Sequence, residues 1–423
     1  MSFDEALAYL LSLGHETLTI KLGLRNTETL LSALGDPHKE FPSVQIAGTN
    51  GKGSTAVILD SICRASGIRT GLFTSPHLIS ITERIKICGE QISEAVFAKL
   101  TQQVRATAEE LTRQGQLDTL PTFFEHVTAI ALLAFREAKV ELAILETGLG
   151  GRLDSTTAAR ADIVAITPVA MDHQKYLGDT LSEIAAEKAA IIRPGVIVVV
   201  SPQDELVREI IVRQCERAGV EPRFTTRELP DSYHNISVGL RGRHQIVNAS
   251  AAIGLAEALW ERGFAITHAA IIRGVETATH PGRLELWHGE PQFLFDGAHN
   301  PAAARALRVY LDEFVIQPIT MIFAAMKDKE LTEMAATLFP KADELILTRL
   351  DNPRAATVEM LMSAVPAGFD KAKARPASSA QEAVKIARAV TPPDGLVCVT
   401  GSLYLIGAIQ EGLGEGRARI SRP

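Results

Sequence analysis

The sequence predicts an α/β protein with two domains, each built on a mostly parallel β-sheet that is covered by helices. Short apolar runs alternate with helical patterns along the chain, which is typical of β-α-β units. The length of 423 residues is more than one ordinary hydrophobic core supports. The alternation restarts after the Pro-Gly pair at 281–282, so we place the boundary near residue 285, with domains at 1–285 and 286–423.

The elements of the first domain follow from apolar runs and helix-capping signals. Residues 1–14, MSFDEALAYLLSLG, carry two acids and no basic leader, which predicts an amphipathic helix rather than a signal peptide. Thr180 and Glu183 have the spacing of a capping box, which predicts a helix to about Ile192. The predicted strands are 43–47, 70–73, 140–146, 161–167 and 196–200, and two more helices run from about Ser54 to Ala65 and over 122–137.

The second domain repeats the pattern on a smaller scale. Its first predicted strand precedes a helix from about Pro301 to Phe314, and further helices lie between the later strands. The predicted strands are 292–296, 319–324, 344–348 and 395–400.

Charge and composition exclude several classes of partner. A net charge of −7 argues against general binding to nucleic acid or acidic membranes. No apolar run approaches the ~18 residues that a membrane span needs. The four cysteines are far apart without a C-x-x-C pair, so they give no zinc or disulfide signature, and we expect Cys63 and Cys398 to pack in the core. These features predict a cytoplasmic protein.

A glycine-rich loop, IAGTNGKGST (46–55), joins a predicted strand to a predicted helix. It departs from the pattern G-x-x-x-x-G-K-[ST], because Ile46 occupies the first glycine position and Gly53 the hydroxyl position. Its glycines still let backbone N–H groups approach an anion, and Lys52 can reach a phosphate. We interpret the loop as a nucleotide-phosphate site; the alternative is a plain turn with an incidental lysine.

Polar side chains follow three of the predicted strands. Glu146 ends one of them, Ser75 follows another, and Asp172 and His173 follow a third. The carboxyl ends of parallel strands form the crevice where α/β sheets bind ligands, and carboxylates there can hold Mg²⁺ with a nucleotide. Structural alternatives stay open, since Glu146 and Ser75 can cap turns and His173 can be a packed or surface residue.

Lys188 is unusual because its predicted helix is rich in alanine and isoleucine. Desolvation lowers the pKa of a lysine amine and makes the amine reactive. The alternative is an ordinary lysine that extends to solvent or pairs with Glu187 or Glu183.

Further polar residues lie near the domain boundary and at helix starts. Asn248 sits inside an alanine-rich helix, where asparagine is unfavourable unless its amide binds something. Arg283 lies at the predicted linker, where a phosphate is within its reach. Asp296, His299 and Asn300 follow the first strand of the second domain, and each has a capping alternative.

Together and in this order, these motifs resemble the folylpolyglutamate synthase/dihydrofolate synthase family, in its bacterial bifunctional form, of the Mur-type ATP-dependent amide ligases. The resemblance covers nearly the whole chain. The matching segments are TIKLGLRNTETLLSALGDP (19–37), AGTNGKGS, TSPHL, TFFEHVTAIA, ILETGLGGRLDST, DHQKYLGDTLSEIAAEKAAIIRPG, HQIVNASAAI, HPGRLE, FDGAHNP, AMKDKE and TGSLYLIGAI (400–409). The glycine loop alone is a weak indication of this family, whereas the ordered set is a strong one.

The resemblance implies a P-loop-type, ATP-binding N-terminal domain with helices on both faces of its sheet, and a smaller Rossmann-like, glutamate-ligase C-terminal domain. The implied ATP contacts are Asn50, Gly51, Lys52, Gly53, Ser54, Asn248, Arg283 and Asp296. The implied ligands of two Mg²⁺ ions are Ser75, Glu146, His173 and Lys188. The implied pterin-binding residues are Lys21, Leu22, Gly23, Leu24, Thr122, Phe123, Phe124, Glu125, Leu153, Asp154 and Ser155.

Particular roles come with this resemblance. Lys188 is expected to be carbamylated by CO₂, so that a cation becomes a carboxylate able to bind metal, and it is expected to act in catalysis with His173 and Lys52. Phe124 is expected to stack on an aromatic ring of the substrate and Asp154 to hydrogen-bond it. K⁺ is a further candidate cofactor.

The implied reaction joins dihydropteroate or tetrahydrofolate to L-glutamate through an acyl phosphate, in a monomer. Lys21 stands where some bifunctional members carry an acid, so whether the chain performs one step or both stays open. A kinase or simple NTPase is one alternative and would need no amine substrate. A non-catalytic nucleotide-binding regulator and a muramyl-peptide or cyanophycin-type ligase are the others.

Overall fold

The computed structural model describes residues 1–14 and 23–414, and the chain divides into two compact units. The first unit comprises Met1–His77, Ile81–Gly239 and Ile246–Ala278, and the second comprises Leu78–Ser80, Leu240–Gln245 and Thr279–Pro423. The predicted α/β class is confirmed in both units. The boundary near residue 285 stays a prediction.

The strands of the first unit form a sheet that is mainly parallel. They are β1 (Ser43–Ala47), β2 (Thr70–Phe73), β3 (Ile85–Ile87), β4 (Glu90–Gln91), β5 (Leu142–Glu146), β6 (Ile163–Ile166), β7 (Ile197–Val200) and β8 (Pro222–Phe224). Among the described residues their order is β4-β3-β2-β5-β1-β6-β7-β8, with only β3 and β4 antiparallel to their neighbours. Every residue of β1 and β5 is buried, as expected for parallel strands with both faces covered.

Helices cover the first sheet on both faces. They are α1 (Phe3–Ser12), α2 (Arg25–Ala33), α3 (Lys52–Ala65), α4 (Glu94–Arg113), α5 (Phe123–Glu137), α6 (Gln174–Leu177), α7 (Leu181–Ala189), α8 (Glu205–Ala218), α9 (His244–Glu261) and α10 (His268–Thr277). Ala143 and Leu145 of β5 share one hydrophobic core with α4 and α5, while α3 also packs against β5. The amphipathic N-terminal helix and the capping box at Thr180 are both confirmed.

Two predicted helix ends are wrong by two or three residues. The helix α3 begins at Lys52 rather than Ser54, because Gly51 takes a left-handed conformation with φ of 86° and forms its N-cap. The helix α7 ends at Ala189 rather than Ile192, and a turn follows it before Pro194 and Gly195.

The second unit has its own sheet and core. Its strands are β9 (Glu285–Trp287), β10 (Gln292–Asp296), β11 (Ile319–Phe323), β12 (Glu344–Thr348), β13 (Ala374–Ala377) and β14 (Leu396–Thr400). Its helices are α11 (Pro301–Phe314), α12 (Leu331–Leu338), α13 (Val358–Ser363), α14 (Ala380–Val390) and α15 (Leu403–Gly414). The order is β13-β12-β11-β14-β10-β9, and within the described residues only β9 is antiparallel to its neighbour.

All four cysteines have free thiols, and Cys63 and Cys398 are buried as predicted. In the part of the chain that the structure describes, no helix combines the length and apolar character that a bilayer crossing needs.

Candidate nucleotide and ligase site

The glycine-rich segment, residues 48–54, follows β1 and includes the first residues of α3, and it leaves no space for side chains at two of its glycines. At Gly48, a Cβ atom would lie 1.9 Å from Thr167 Oγ1. At Gly51, it would lie 2.2 Å from Asn248 Oδ1, and the φ of 86° disfavours other residues as well. The loop therefore needs glycine at both positions, and Asn248 lies against it.

Backbone N–H groups of this loop divide into two sets. Those of Thr49 and Asn50 both donate to the Pro168 carbonyl oxygen, at 3.0 and 3.1 Å. The first turn of α3 closes with the Thr55 N–H on the Gly51 carbonyl oxygen at 2.8 Å. An anion at this helix N-terminus would therefore meet the N–H groups of residues 52–54, where the helix dipole is also favourable.

Two lysine side chains converge on the Gly48 carbonyl oxygen. Lys52 Nζ donates to it at 3.2 Å, and Lys188 Nζ donates to it at 2.8 Å. Lys188 is only 4% exposed, so the alternative of a lysine that extends to solvent is wrong. Burial, and secondly the charge of Lys52, lower the pKa of Lys188 to about 7.

The loop after β5 packs directly against the helix turn that carries Lys188. A Cβ atom on Gly151 would lie 2.9 Å from the Glu187 carbonyl oxygen and 3.0 Å from that of Lys188. Arg152 donates to Glu187 twice, from its backbone N–H at 3.0 Å and from its side-chain Nε at 2.8 Å. Glu187 therefore has an ion-pair partner in Arg152, and Glu183 closes the capping box with Thr180.

Ser75 and Glu146 are brought together at the carboxyl ends of β2 and β5. The Ser75 N–H donates to Glu146 Oε2 at 3.0 Å, and Glu146 is buried. This bond is of the capping kind that the sequence left open. It also places a hydroxyl-bearing residue beside a carboxylate, which are oxygen ligands that suit Mg²⁺.

Asp172 and His173 follow β6, and His173 has an unusual backbone conformation. Its φ is 54°, and its N–H donates to Asp172 Oδ1 at 2.8 Å. The Asp172 carboxylate acts on Lys188 in the opposite sense to burial and raises its pKa. Asp172 therefore belongs to the electrostatic surroundings of Lys188, whereas the sequence pattern predicted only that it follows a strand.

The predicted pterin segments meet beside β5. The Phe124 ring centroid lies 5.8 Å from that of Phe73, and a Cβ atom on Gly148 would lie 2.4 Å from Phe124 Cζ. The Ser155 hydroxyl lies 2.6 Å from the Thr128 hydroxyl, which ties the segment 153–155 to α5. Phe123 is buried, Leu153 is half-buried, and Gly23 and Leu24 precede α2. Lys21 and Leu22 lie outside the described residues.

Several of these pterin candidates already have structural partners. Thr122 and Glu125 form the capping box of α5. The Asp154 carboxylate accepts the N–H of Leu149 at 2.9 Å, and it accepts the N–H and hydroxyl of Thr156 at 3.0 and 2.5 Å. Burial raises the pKa of Asp154. The T-x-x-E spacing at 122–125 is itself a capping-box signal, so this structural role could be predicted from the sequence.

In the second unit, Arg283 and Asp296 lie near each other at the carboxyl end of β10. Asp296 accepts the N–H groups of Leu284 and Ala298, both at 3.0 Å, and burial raises its pKa while Arg283 opposes that shift. Arg283 Nη1 donates to the Gly297 carbonyl oxygen at 3.3 Å. Asp296 thus makes the turn-capping bonds that the sequence left open.

The residues His299 and Asn300 follow in the same loop. Asn300 is the N-cap of α11 and accepts the Ala303 N–H, and His299 Nδ1 lies 2.8 Å from the Gly297 carbonyl oxygen. Asn300 therefore has the helix-capping role that the sequence offered as an alternative.

A mostly parallel sheet with a phosphate-type loop, a buried lysine and strand-end carboxylates, followed by a second α/β unit, defines the class of Mur-type ligases. Residues 46–256 match the family described as Mur ligase middle domain. Residues 282–403 match the family described as Mur ligase, glutamate ligase domain.

Within this class, the chain belongs to the folylpolyglutamate synthase/dihydrofolate synthase family of ATP-dependent ligases. It is 34% identical to "Dihydrofolate synthase/folylpolyglutamate synthase" of Bacillus subtilis (strain 168), over 95% of this chain and 97% of that protein. It is also 34% identical, over 96% of its length, to a Haloferax volcanii protein named "Probable bifunctional folylpolyglutamate synthase/dihydropteroate synthase". The chain spans 50% of that relative and 52% of a second one from Halobacterium salinarum.

Solved structures of the family share the fold. Mycobacterium tuberculosis folylpolyglutamate synthase complexed with ADP is similar with a TM-score of 0.90 and 31% identity, over 99% of this chain and 100% of that one. An Escherichia coli structure in complex with DHPP and ADP has a TM-score of 0.86 and 28% identity, with 99% of each chain covered. A bifunctional folylpolyglutamate synthase/dihydrofolate synthase with Mn, AMPPNP and L-glutamate bound has a TM-score of 0.85 and 28% identity, with 98% of each chain covered.

Proposed function

We propose that this chain uses ATP to join L-glutamate to the carboxylate of dihydropteroate, of tetrahydrofolate, or of both. The observation that carries the proposal is the convergence of Lys52 and Lys188 on the carbonyl oxygen of Gly48, in the loop that leads into α3. The similar solved structures with ADP, DHPP, AMPPNP and L-glutamate support the same substrates here. The pairing of a phosphate site with a buried, readily deprotonated lysine distinguishes the proposal from a simple nucleotide-binding role.

The chemistry requires activation of the carboxylate. A carboxylate does not react with an amine near neutral pH, because oxide would have to leave. Transfer of the γ-phosphoryl group of ATP to the carboxylate gives an acyl phosphate with phosphate as its leaving group. The amine of glutamate then attacks the acyl carbon and phosphate departs, so positioning and charge neutralisation are the main tasks of the protein.

We assign these tasks to the first unit as follows. The N–H groups at the start of α3 and the Lys52 ammonium hold and neutralise the phosphates. Phe124, which lies beside Gly148 and Phe73, offers a partly exposed ring for the aromatic part of the substrate. In the second unit, Arg283 is a candidate phosphate contact and Asp296 a candidate polar contact to the nucleotide.

A carbamate on Lys188 would supply the carboxylate donor for the second of the two expected Mg²⁺ ions. In residues 1–14 and 23–414 no group of three or more His, Cys, Asp and Glu side chains is placed to hold a metal ion. Ser75 and Glu146 would hold one Mg²⁺, and His173 with a carbamate on Lys188 would hold a second. Bound there, Mg²⁺ would supply Lewis-acid stabilisation of charge on the phosphate oxygens.

Lys188 has the protonation behaviour that carbamylation needs. Only a neutral amine attacks CO₂, and an ordinary lysine with a pKa near 10.4 is neutral in about one of 2,500 molecules at pH 7. With its pKa lowered to about 7, roughly half of Lys188 is neutral at that pH. The product is a carbamate anion, with the displaced proton passed to solvent.

The test is a glutamate-ligation assay with dihydropteroate and tetrahydrofolate side by side. We expect ADP release that depends on both the pterin substrate and L-glutamate, with one amide formed per ADP. ADP release without glutamate would support a kinase or NTPase instead, and ATP binding without turnover would support a regulator. Turnover with one pterin only would decide between the single and bifunctional forms. The monomeric state, the cytoplasmic location and a role for K⁺ stay predictions.

Glu146→Gln is expected to weaken the Mg²⁺ dependence of the reaction. Glutamine keeps the shape of the side chain and can still accept the Ser75 N–H, but it loses the charge that attracts a divalent cation. We expect the Mg²⁺ concentration for half-maximal rate to rise at least about tenfold. An unchanged Mg²⁺ titration curve, with an unchanged unfolding temperature, would remove Glu146 from the metal site.

Asp154→Ala is expected to affect use of both pterin substrates equally, because its carboxylate holds the backbone of the loop after β5. The substitution leaves the N–H groups of Leu149 and Thr156 without their acceptor, which costs about 1–3 kcal/mol for each buried group. Thermal unfolding and the two ligation rates are the measurements. A loss confined to dihydropteroate, with unchanged unfolding, would favour direct contact with the substrate.

A further inference from the structure

Gln203 lies three residues beyond the end of β7, and its side-chain amide is fully engaged with one neighbouring segment. Its Nε2 donates to the carbonyl oxygens of Ile166 and Thr167 at 3.3 and 3.0 Å. Its Oε1 accepts the Val169 N–H at 3.0 Å. One amide therefore clamps the first residues of the segment that follows β6, which we call the β6 loop (residues 167–173).

The β6 loop in turn supports the phosphate loop. The Pro168 carbonyl oxygen accepts the N–H groups of Thr49 and Asn50, at 3.0 and 3.1 Å. The Thr49 hydroxyl donates to the Ala170 carbonyl oxygen and accepts the Ala170 N–H, both at 3.0 Å. These four hydrogen bonds join the two loops over a few residues, and Thr167 also fills the space above Gly48.

We propose that Gln203 is a positioning residue for the nucleotide phosphates. By fixing the β6 loop, it fixes Pro168 and Ala170, which hold Thr49 and Asn50, and so sets the path of the phosphate loop. The carbonyl of Gly48, on which Lys52 and Lys188 converge, is one residue from Thr49. This inference rests on the proposed ATP-dependent function and assigns a residue to it that touches no substrate.

The hydrogen bonds of Gln203 indicate which substrate its loss should affect. Its side-chain hydrogen bonds reach the β6 loop and the end of β6, whereas the pterin segments 122–125 and 153–155 belong to other parts of the first unit. Loss of Gln203 should therefore weaken nucleotide binding and leave pterin binding nearly unchanged. A residue that only supported overall stability would affect both to the same degree.

A substitution of Gln203 has to remove its hydrogen bonds without changing the size of the side chain, because Gln203 also lines a cavity. That cavity has a volume of about 150 Å³ and is bounded by Pro168, Val169, Pro202, Asp204, Arg227 and Val247 together with Gln203. Gln203→Met keeps the length of the side chain and removes all three hydrogen bonds. Gln203→Glu keeps the acceptor for Val169 and replaces the donor with an acceptor that faces two carbonyl oxygens.

A matched control is available in Gln214. Its Nε2 donates to the Ile192 carbonyl oxygen at 3.0 Å, so it also ties a helix to a turn in the first unit. Ile192 lies outside the β6 loop. Gln214→Met therefore tests the loss of a similar amide contact elsewhere.

The experiment measures the dissociation constant of ADP by calorimetry, and then KM for ATP and for the pterin substrate. We expect Gln203→Met and Gln203→Glu to raise the ADP dissociation constant and KM for ATP about tenfold, with KM for the pterin within about twofold. Gln214→Met should match the wild type in all three.

Three results would overturn the inference: unchanged ADP binding in both Gln203 variants, equal rises in the two KM values, or the same loss in Gln214→Met. If Gln203→Met does not fold, the charged variant decides alone. Because ADP binding needs no turnover, a wild-type protein that binds ADP without ligating glutamate would refute the proposed function and still leave Gln203 tested.

Discussion

Replacing Lys188 with alanine is expected to lower the rate of amide formation on the order of 10² to 10³-fold while the protein stays folded. The buried amine of Lys188 donates to the Gly48 carbonyl oxygen at 2.8 Å, and its carbamylation would give the proposed second metal position a carboxylate. Steady-state turnover at saturating ATP, glutamate and pterin is the measurement. A near wild-type rate would contradict the proposed carbamate.

The dependence of stability on pH gives an independent readout of Lys188. Its pKa is about 7 in the folded protein and 10.5 in the unfolded chain, so between these values the unfolded chain binds more protons. The cost of burying the charged amine is therefore complete below pH 7 and fades as the pH rises toward 10.5. In CO₂-depleted buffer, where Lys188 is a free amine, Lys188→Met should be more stable than the wild type at pH 6.5 and lose most of that advantage at pH 9.5, as measured by urea unfolding.

The dependence of the rate on CO₂ distinguishes a carbamate on Lys188 from a plain ammonium group. In CO₂-depleted buffer the wild-type rate should fall, and added bicarbonate should restore it. Lys188→Ala should not respond to bicarbonate at all. A wild-type rate that is independent of CO₂ would leave Lys188 as a cation that contacts the phosphate loop.

Gly51→Ala is expected to raise KM for ATP on the order of 10²-fold, because it displaces the phosphate loop from Asn248. The added Cβ would lie 2.2 Å from Asn248 Oδ1, so either the asparagine or the loop has to move. The φ of 86° adds backbone strain of about 1–2 kcal/mol for alanine. KM for ATP and for the pterin, measured together, should show a loss confined to the nucleotide.

Gly195→Ala is the matched control for this backbone strain. Gly195 has a φ of 84° and nothing within 4 Å of the position where a Cβ would be added. The two variants should lose similar stability, but Gly195→Ala should keep the wild-type KM for ATP. If both variants shift this KM equally, backbone strain rather than contact with Asn248 governs nucleotide binding.

The placement of Ser75, Glu146 and His173 at one edge of the first sheet could be predicted from the sequence. Each follows an apolar run, and parallel strands bring their carboxyl ends to the same edge whatever the exact packing. The phosphate-binding role of the glycine loop could also be proposed from the sequence, because the loop joins a predicted strand to the start of a predicted helix. Local pattern and strand direction were enough for these residues.

Contacts between distant segments could not be predicted in this way. The burial of Lys188 depends on Gly151 and Gly48, which come from loops far from it in sequence. Asp172 begins one of the matching segments, but its effect on Lys188 follows only from the fold. Gln203 lies in none of those segments, and its importance follows from the carbonyl and N–H groups that its side chain reaches. For Asp154 the family resemblance implies a substrate contact, which stays a prediction, and the fold adds a structural role, because its carboxylate accepts the N–H groups of Leu149 and Thr156.

The most direct test of the central claim follows an oxygen atom of the pterin carboxylate. Dihydropteroate, or tetrahydrofolate if that is the substrate used, is labelled with oxygen-18 in the reacting carboxylate and ligated with ATP and L-glutamate. Passage through an acyl phosphate predicts one labelled oxygen in inorganic phosphate for each amide formed, with the other label kept in the amide carbonyl. Label in AMP, or inorganic phosphate free of label while the amide forms, would contradict the proposed mechanism.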